Sequence, residues 1–159
     1  MEIERKFLPE KLPFDLEAYP SSRIEQAYLC VRPVVRIRRE DGRFWLTYKS
    51  SGLLAREEYN LALTEEAWLH LLAKADGRVL KKRRFRVPLE SSGYTAEIDR
   101  FEDCYEGLIL VEVEFPTQEE ALAFEPPVWF GREVTYSGEY QNSRLALLPR
   151  PAASEDCPG

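Results

Sequence analysis

The 159-residue chain has a single histidine, a single methionine and three cysteines. One histidine, His70, cannot build a multi-histidine zinc site or a 2-His-1-carboxylate iron site. Cys30, Cys104 and Cys157 are odd in number, widely spaced and without a C-x-x-C pair. They therefore indicate neither a disulfide framework nor a thiolate zinc site, and a cytoplasmic compartment is expected. Long apolar runs are also missing. None approaches the ~20 residues that cross a bilayer, and Met1 leads directly into Glu2, Glu4, Arg5 and Lys6, so neither a secretory leader nor a membrane span is expected. There is no excess of positive charge: 22 Lys and Arg face 28 Asp and Glu, a net charge of -6. That balance argues against holding bulk nucleic acid by counterion release, but allows a locally basic pocket. Any metal must then be held by oxygen, which suits magnesium or manganese, ions that commonly partner phosphates.

What is present fits one compact domain, with 44% hydrophobic, 12% aromatic and 31% charged residues. Most segments alternate with the strand period: Glu2 to Leu8, Arg23 to Val31, Val34 to Arg39, Arg43 to Ser50, Leu54 to Leu63, Arg78 to Pro88, Tyr94 to Phe101 and Leu108 to Phe115. Asp41-Gly42 is a strong hairpin signal. Thr64 caps a helix from Glu65 to Ala75, with acids in its first turn and Gly77 beyond its end. Thr117-Gln118-Glu119-Glu120 opens a second, short helix, and Glu139 to Leu148 reads as a third. The domain is placed at residues 1–148. Residues 149–159, rich in proline and small polar residues, are expected to be a disordered tail.

About eight strands with a few helices predict a mainly β (α+β) fold built on a closed or nearly closed antiparallel sheet. Charged residues recur two apart and so share one face of their strands: Glu2/Glu4/Lys6, Arg36/Arg38, Arg56/Glu58/Asn60, Lys81/Arg83, Glu97/Asp99 and Glu112/Glu114. One reading makes this face the solvated side of an ordinary sheet. The other makes it the lumen of a barrel, because the signs are segregated by strand, and because a helix with Trp68, Leu69, Leu71 and Leu72 can cover an outer apolar face. A lumen with Glu2, Glu4, Glu112 and Glu114 on one wall, and Lys6, Arg36, Arg38, Lys49, Arg56, Lys81 and Arg83 around the rest, calls for a ligand with several anionic groups plus divalent cations. Triphosphate with magnesium is such a ligand, and phosphoryl transfer is the chemistry it serves.

These residues also carry a resemblance. Glu2-Ile3-Glu4-Arg5-Lys6 matches the E-x-E-x-K signature of the CYTH domain, or triphosphate tunnel metalloenzyme, superfamily. It is followed in order by Arg36/Arg38, Thr47-Tyr48-Lys49-Ser50, Arg56-Glu57-Glu58-Tyr59, Lys81-Lys82-Arg83, Glu97-Ile98-Asp99, Val111-Glu112-Val113-Glu114-Phe115 and Glu133-Val134-Thr135. The chain most resembles the short bacterial-type enzymes that hydrolyse inorganic tripolyphosphate. The resemblance implies an eight-stranded antiparallel β-barrel tunnel with a charged lumen and helices packed outside. It implies metal ligation by Glu2, Glu4, Glu112 and Glu114, and triphosphate binding by Lys6, Arg36, Arg38, Lys49, Arg56, Lys81 and Arg83. Lys6, Glu97 and Asp99 are the implied catalytic residues, the two acids as second-metal or water-orienting groups. Lys82 and Arg84 are assigned to the opposite face, and Arg144 to the tunnel mouth. One departure stands out: Asn60 occupies a position where the family often has glutamate.

The expected activity is hydrolysis of tripolyphosphate to pyrophosphate and phosphate with Mg2+ or Mn2+. The alternatives are thiamine triphosphatase, nucleoside triphosphatase or adenylate cyclase activity in the same tunnel, or a non-catalytic sensor of polyphosphate or nucleotide. The expected partner is a small-molecule triphosphate, with neither nucleic acid nor membrane, and the resemblance allows a homodimer.

Overall fold

The computed structural model describes residues 1–147, so the expected tail, residues 149–159, lies outside the described residues. The strands are β1 (Glu2–Leu8), β2 (Ser21–Val31), β3 (Val34–Glu40), β4 (Arg43–Lys49), β5 (Ala55–Arg56), β6 (Glu58–Leu63), β7 (Asp76–Pro88), β8 (Thr95–Phe101), β9 (Ile109–Glu114) and β10 (Arg132–Glu133). The helices are α1 (Glu65–Leu72), α2 (Gln118–Ala123) and α3 (Asn142–Leu147). Sequence order and period account for most of this. Asp41 and Gly42 both take positive φ and make the β3–β4 turn. Thr64 Oγ1 accepts from Ala67 N, and Thr117 Oγ1 accepts from Glu120 N, both at 3.1 Å, capping α1 and α2.

All pairings are antiparallel, in the order β10-β1-β9-β8-β7-β2-β3-β4-β6. The sheet then returns on itself because β5 pairs with β1, Glu2 opposite Arg56. β5 and β6 are one strand interrupted at Glu57, so eight strands encircle the lumen and β10 adds a short flap. The seam is stitched by Glu4 N to Leu54 O at 3.0 Å and Val134 N to Lys6 O at 2.8 Å.

Alternation around this circuit divides inside from outside. Outward residues Ile3, Phe7, Phe85, Val87, Ile98, Val111 and Val113 pack under α2 and the 128–130 turn. Ala27 and Ile37 pack under Trp68 of α1. Inward residues are charged along most of the barrel but turn apolar at one end, where Leu80, Phe101, Leu110 and Val34 meet Leu145 and Ala146 of α3. Along β7 the inward order is Leu80, Lys82, Arg84, Arg86, and along β9 it is Leu110, Glu112, Glu114. The tunnel is therefore closed at the α3 end and open at the other. Among the described residues no helix is long and apolar enough to cross a membrane. Cys30 is free, whereas Cys104 is disulfide-bonded, contrary to the expectation drawn from cysteine spacing.

Candidate active site in the barrel lumen

The lumen encloses a cavity of about 740 Å³. Both of the charged sets expected from strand alternation face it on β1, β3, β4, β5 and β9: Glu2, Glu4 and Lys6; Arg36 and Arg38; Lys49; Arg56; Glu112 and Glu114. Strand β7 departs from the expectation. Its lumen residues are Lys82, Arg84 and Arg86, while Lys81 and Arg83 face outward. Lys81 pairs with Asp103 at 3.6 Å, and Arg83 donates to Ser21 Oγ at 3.1 Å. The cause is the pleat. Lys81 and Arg83 share the phase of Phe85 and Val87, whose burial under the outer apolar layer fixes that face as the outside. Arg144 likewise lies exposed on α3, and the neighbouring Gln141, Asn142 and Ser143 line the cavity instead.

Glu97 and Asp99 both point inward, with different fates. Glu97 lines the cavity and pairs with Arg84 Nη1. Asp99 is fully buried behind the lining, its oxygens taken by Lys82 Nζ at 2.6 Å, Arg84 Nε at 2.7 Å and Arg84 Nη2 at 2.8 Å. Burial would raise its carboxyl, but Arg84 and Lys82 hold it below the usual range. Both of its oxygens are engaged by these two side chains, so it orients Lys82 and Arg84 from behind the lining. Lys82 is pushed down to about 8, because burial outweighs Asp99 and Arg84 repels it. It is still mostly charged at neutral pH.

Lys6 sits 3.4 Å from Glu112, and Glu112 also meets Arg84 at 3.2 Å. Burial would raise Glu112, but Lys6 and Arg84 carry it well below the usual range. At the other wall Lys49 Nζ lies 2.8 and 2.7 Å from the two oxygens of Glu2, and 3.1 Å from Glu58. That is ion-pair geometry, yet burial, then Glu4 and Glu58, push Glu2 up to about 8. Asn60, in the departing position, accepts from Thr47 Oγ1 at 2.6 Å and donates to Glu58 Oε1 at 2.8 Å, fixing the Glu58 carboxylate. The Nε atoms of Arg36 and Arg38 are buried without a hydrogen-bond partner, two donors left for an anion in the lumen.

Signals for some of the unexpected lining residues were present in the sequence. Arg86 follows Phe85 in the lumen phase of β7, and Arg43 and Trp45 on β4 lie opposite Glu40 and Arg38. Asn142, the first residue of α3, is one of the residues that carry the family resemblance, together with Tyr140, Leu145 and Ala146, but strand alternation gave it no place in the lumen.

No group of three His, Cys, Asp or Glu among the described residues is drawn together tightly enough to hold an ion unaided. The donor set nevertheless fits a hard divalent cation. Glu114 at the open mouth is raised by burial and then by Glu97, Glu4 and Glu58, a carboxylate with too little positive charge near it. Magnesium commonly takes one or two carboxylates and completes its shell with water and substrate phosphate, so a site that closes only with substrate suits it.

No protein-family profile matches the chain. It is 38% identical over 150 residues to an inorganic triphosphatase of Nitrosomonas europaea, covering 92% of this chain and 97% of that protein. It is 37% identical over 120 residues to an inorganic triphosphatase of Acetivibrio thermocellus, covering 72% of each. A crystal structure of an inorganic triphosphatase superposes with a TM-score of 0.71 at 33% identity, covering 95% of this chain and 97% of the other. A charged antiparallel tunnel and full-length likeness to such enzymes place the chain in the CYTH, or triphosphate tunnel metalloenzyme, family.

Proposed function

We propose that this protein hydrolyses inorganic tripolyphosphate to pyrophosphate and phosphate, using Mg2+ or Mn2+. The observation that carries the reading is the lumen itself, where Arg36 and Arg38 keep buried unpartnered N–H groups beside Lys6, Lys49, Lys82 and Arg84, facing Glu4, Glu97 and Glu114, the last raised by burial and by its acidic neighbours. The basic side chains bind and orient the phosphate oxygens. Glu4 and Glu114, opposite each other in the β1–β9 register, with Glu2 and Glu97 nearby, would hold the cation. A bound divalent ion neutralises developing charge and polarises phosphoryl oxygens.

Water attacks the terminal phosphorus, the bridging P–O bond breaks, and the electron pair leaves with pyrophosphate. Glu97, anchored by Arg84 at the lumen surface, orients that water and receives its proton. Lys6 sits at the Glu112 row and stabilises the phosphoryl oxygens in flight. Asp99 acts only through Lys82 and Arg84.

A homodimer, no nucleic-acid partner and a cytoplasmic setting belong to the same reading. The last is tested by the redox state of Cys104 in freshly extracted protein, since a reducing compartment keeps thiols free. Phosphate release from tripolyphosphate, ATP and thiamine triphosphate, each with magnesium or manganese, tests the activity. Preferred turnover of tripolyphosphate supports it. Turnover of none would leave a sensor that binds anions without reacting them.

A further inference from the structure

One side chain reaches the buried cations from outside the sheet. Asn142, the first residue of α3, places its Oδ1 3.1 Å from Lys82 Nζ and 2.9 Å from Gln26 Nε2. We propose that Asn142 is a positioning residue of the triphosphate site, holding the Lys82 ammonium at the closed end of the tunnel and making α3 part of substrate binding. The inference rests on the triphosphate reading above.

An ammonium has three N–H donors. On Lys82 one goes to Asp99 at 2.6 Å and one to Asn142, and the remaining one is free for an oxygen in the cavity that Lys82 lines. The amide is itself fixed, because Gln26, fully buried on β2, donates to the same Oδ1 and so settles which end of Asn142 faces the lysine. A neutral acceptor suits this place. It orients Lys82 without cancelling a charge that Asp99 already shares between Lys82 and Arg84. The adjoining Tyr140 carbonyl accepts from Lys6 Nζ at 3.3 Å, so lysines from two separate strands are tied to one short segment.

Packing alone does not call for asparagine. Leu145 and Ala146 already bury α3 against Leu80 and Phe101, and a buried amide is costly unless hydrogen-bonded.

The test compares Asn142→Leu, matched in branching but apolar, with wild type, and repeats the exchange in a Lys82→Met background. In the wild-type background the Michaelis constant for tripolyphosphate should rise about tenfold, the scale of one hydrogen bond to a charged group, with kcat within about twofold. Binding of the non-hydrolysed imido analogue, measured by calorimetry with magnesium, should weaken by the same factor. In the Lys82→Met background the exchange should add nothing further. Asn142→Ala gives a second variant should the leucine misfit. An unchanged Michaelis constant, or the same penalty with and without Lys82, overturns the inference. Failure of the wild-type protein to bind or hydrolyse tripolyphosphate overturns the substrate reading first, before any variant is compared.

Discussion

Lys81 and Lys82 are neighbours in sequence, yet only Lys82 faces the lumen. It is 1% exposed and tied to Asp99, whereas Lys81 stands outside beside Asp103. Lys82→Ala should therefore raise the Michaelis constant for tripolyphosphate by tenfold or more, as loss of a charge-assisted contact of roughly 1.5–3 kcal/mol requires. Lys81→Ala should stay within about twofold, and steady-state kinetics on both would expose a reversed assignment. The four consecutive basic residues from 81 to 84 hid this distinction, because charge alone marks both phases of the strand. The arbiter lay just beyond them, in Phe85 and Val87, whose apolar character names the outer face. Elsewhere each strand paired a charged phase with an apolar one, so the lumen faces of β1, β3 and β9 could be read directly. Glu2 supports a second prediction. Its folded carboxyl, raised to about 8 by burial and by Glu4 and Glu58, holds a proton that the unfolded chain has lost above about pH 4.5. In metal-free protein this stabilising term is present at low pH and disappears as pH rises through about 8. Glu2→Gln lacks the term. Relative to wild type it should gain stability as pH climbs from 5 to 9, by upwards of about 1 kcal/mol, since one pKa unit is about 1.4 kcal/mol. Thermal denaturation in chelator would show it, and a difference independent of pH would dismiss the idea.

At the scale of elements, the strands and their turns were legible because period and turn chemistry are local. The closure of the barrel was less so. It depends on β5, two residues long, pairing with β1 across the chain, and on a break at Glu57 that no turn residue announces. The position of α3 is a similarly non-local result. Its helical pattern could be read, but not that it enters the barrel end, where β7 must pass close beneath it. Gly77 makes that passage: it has φ of +68°, and a Cβ there would lie 2.3 Å from the Ala146 carbonyl oxygen. Gly77→Ala should strain the backbone and push α3 outward, loosening the holds of Asn142 on Lys82 and of Tyr140 on Lys6. The expected outcome is a weaker Michaelis constant together with a loss of roughly 1–3 kcal/mol in stability. If denaturation and kinetics both match wild type, α3 does not need that close approach.

For the molecule as a whole, the balance of charge in the lumen decides how ligands bind. Nine basic residues line the cavity against eight acidic ones, and the buried Asp99 evens the count. An almost neutral tunnel attracts neither a bare polyanion nor a bare cation strongly, because each meets as much repulsion as attraction. Bound together, triphosphate oxygens would satisfy Arg36 and Arg38 while a cation would satisfy Glu4 and Glu114, so that each partner would remove the other's penalty. The unfolding temperature should then shift little with magnesium alone or with a non-hydrolysed triphosphate alone, and markedly with both, since stabilisation follows binding to the native state. Equal shifts from either component would contradict the balanced lumen. The same geometry orders the substrates. With α3 closing one end, anything attached to a triphosphate must emerge at the open mouth, where a base would meet Trp45 but otherwise the charged Arg43, Arg86 and Glu114. Pyrophosphate would be too short to engage Arg36 and Arg38 while reaching a cation held by Glu4 and Glu114. Tripolyphosphate should therefore show a kcat/KM well above that of ATP, with pyrophosphate a poor substrate. Steady-state kinetics at matched free magnesium would measure this, and a preference for ATP or pyrophosphate would mean that the open mouth, rather than the charged middle of the tunnel, selects the substrate.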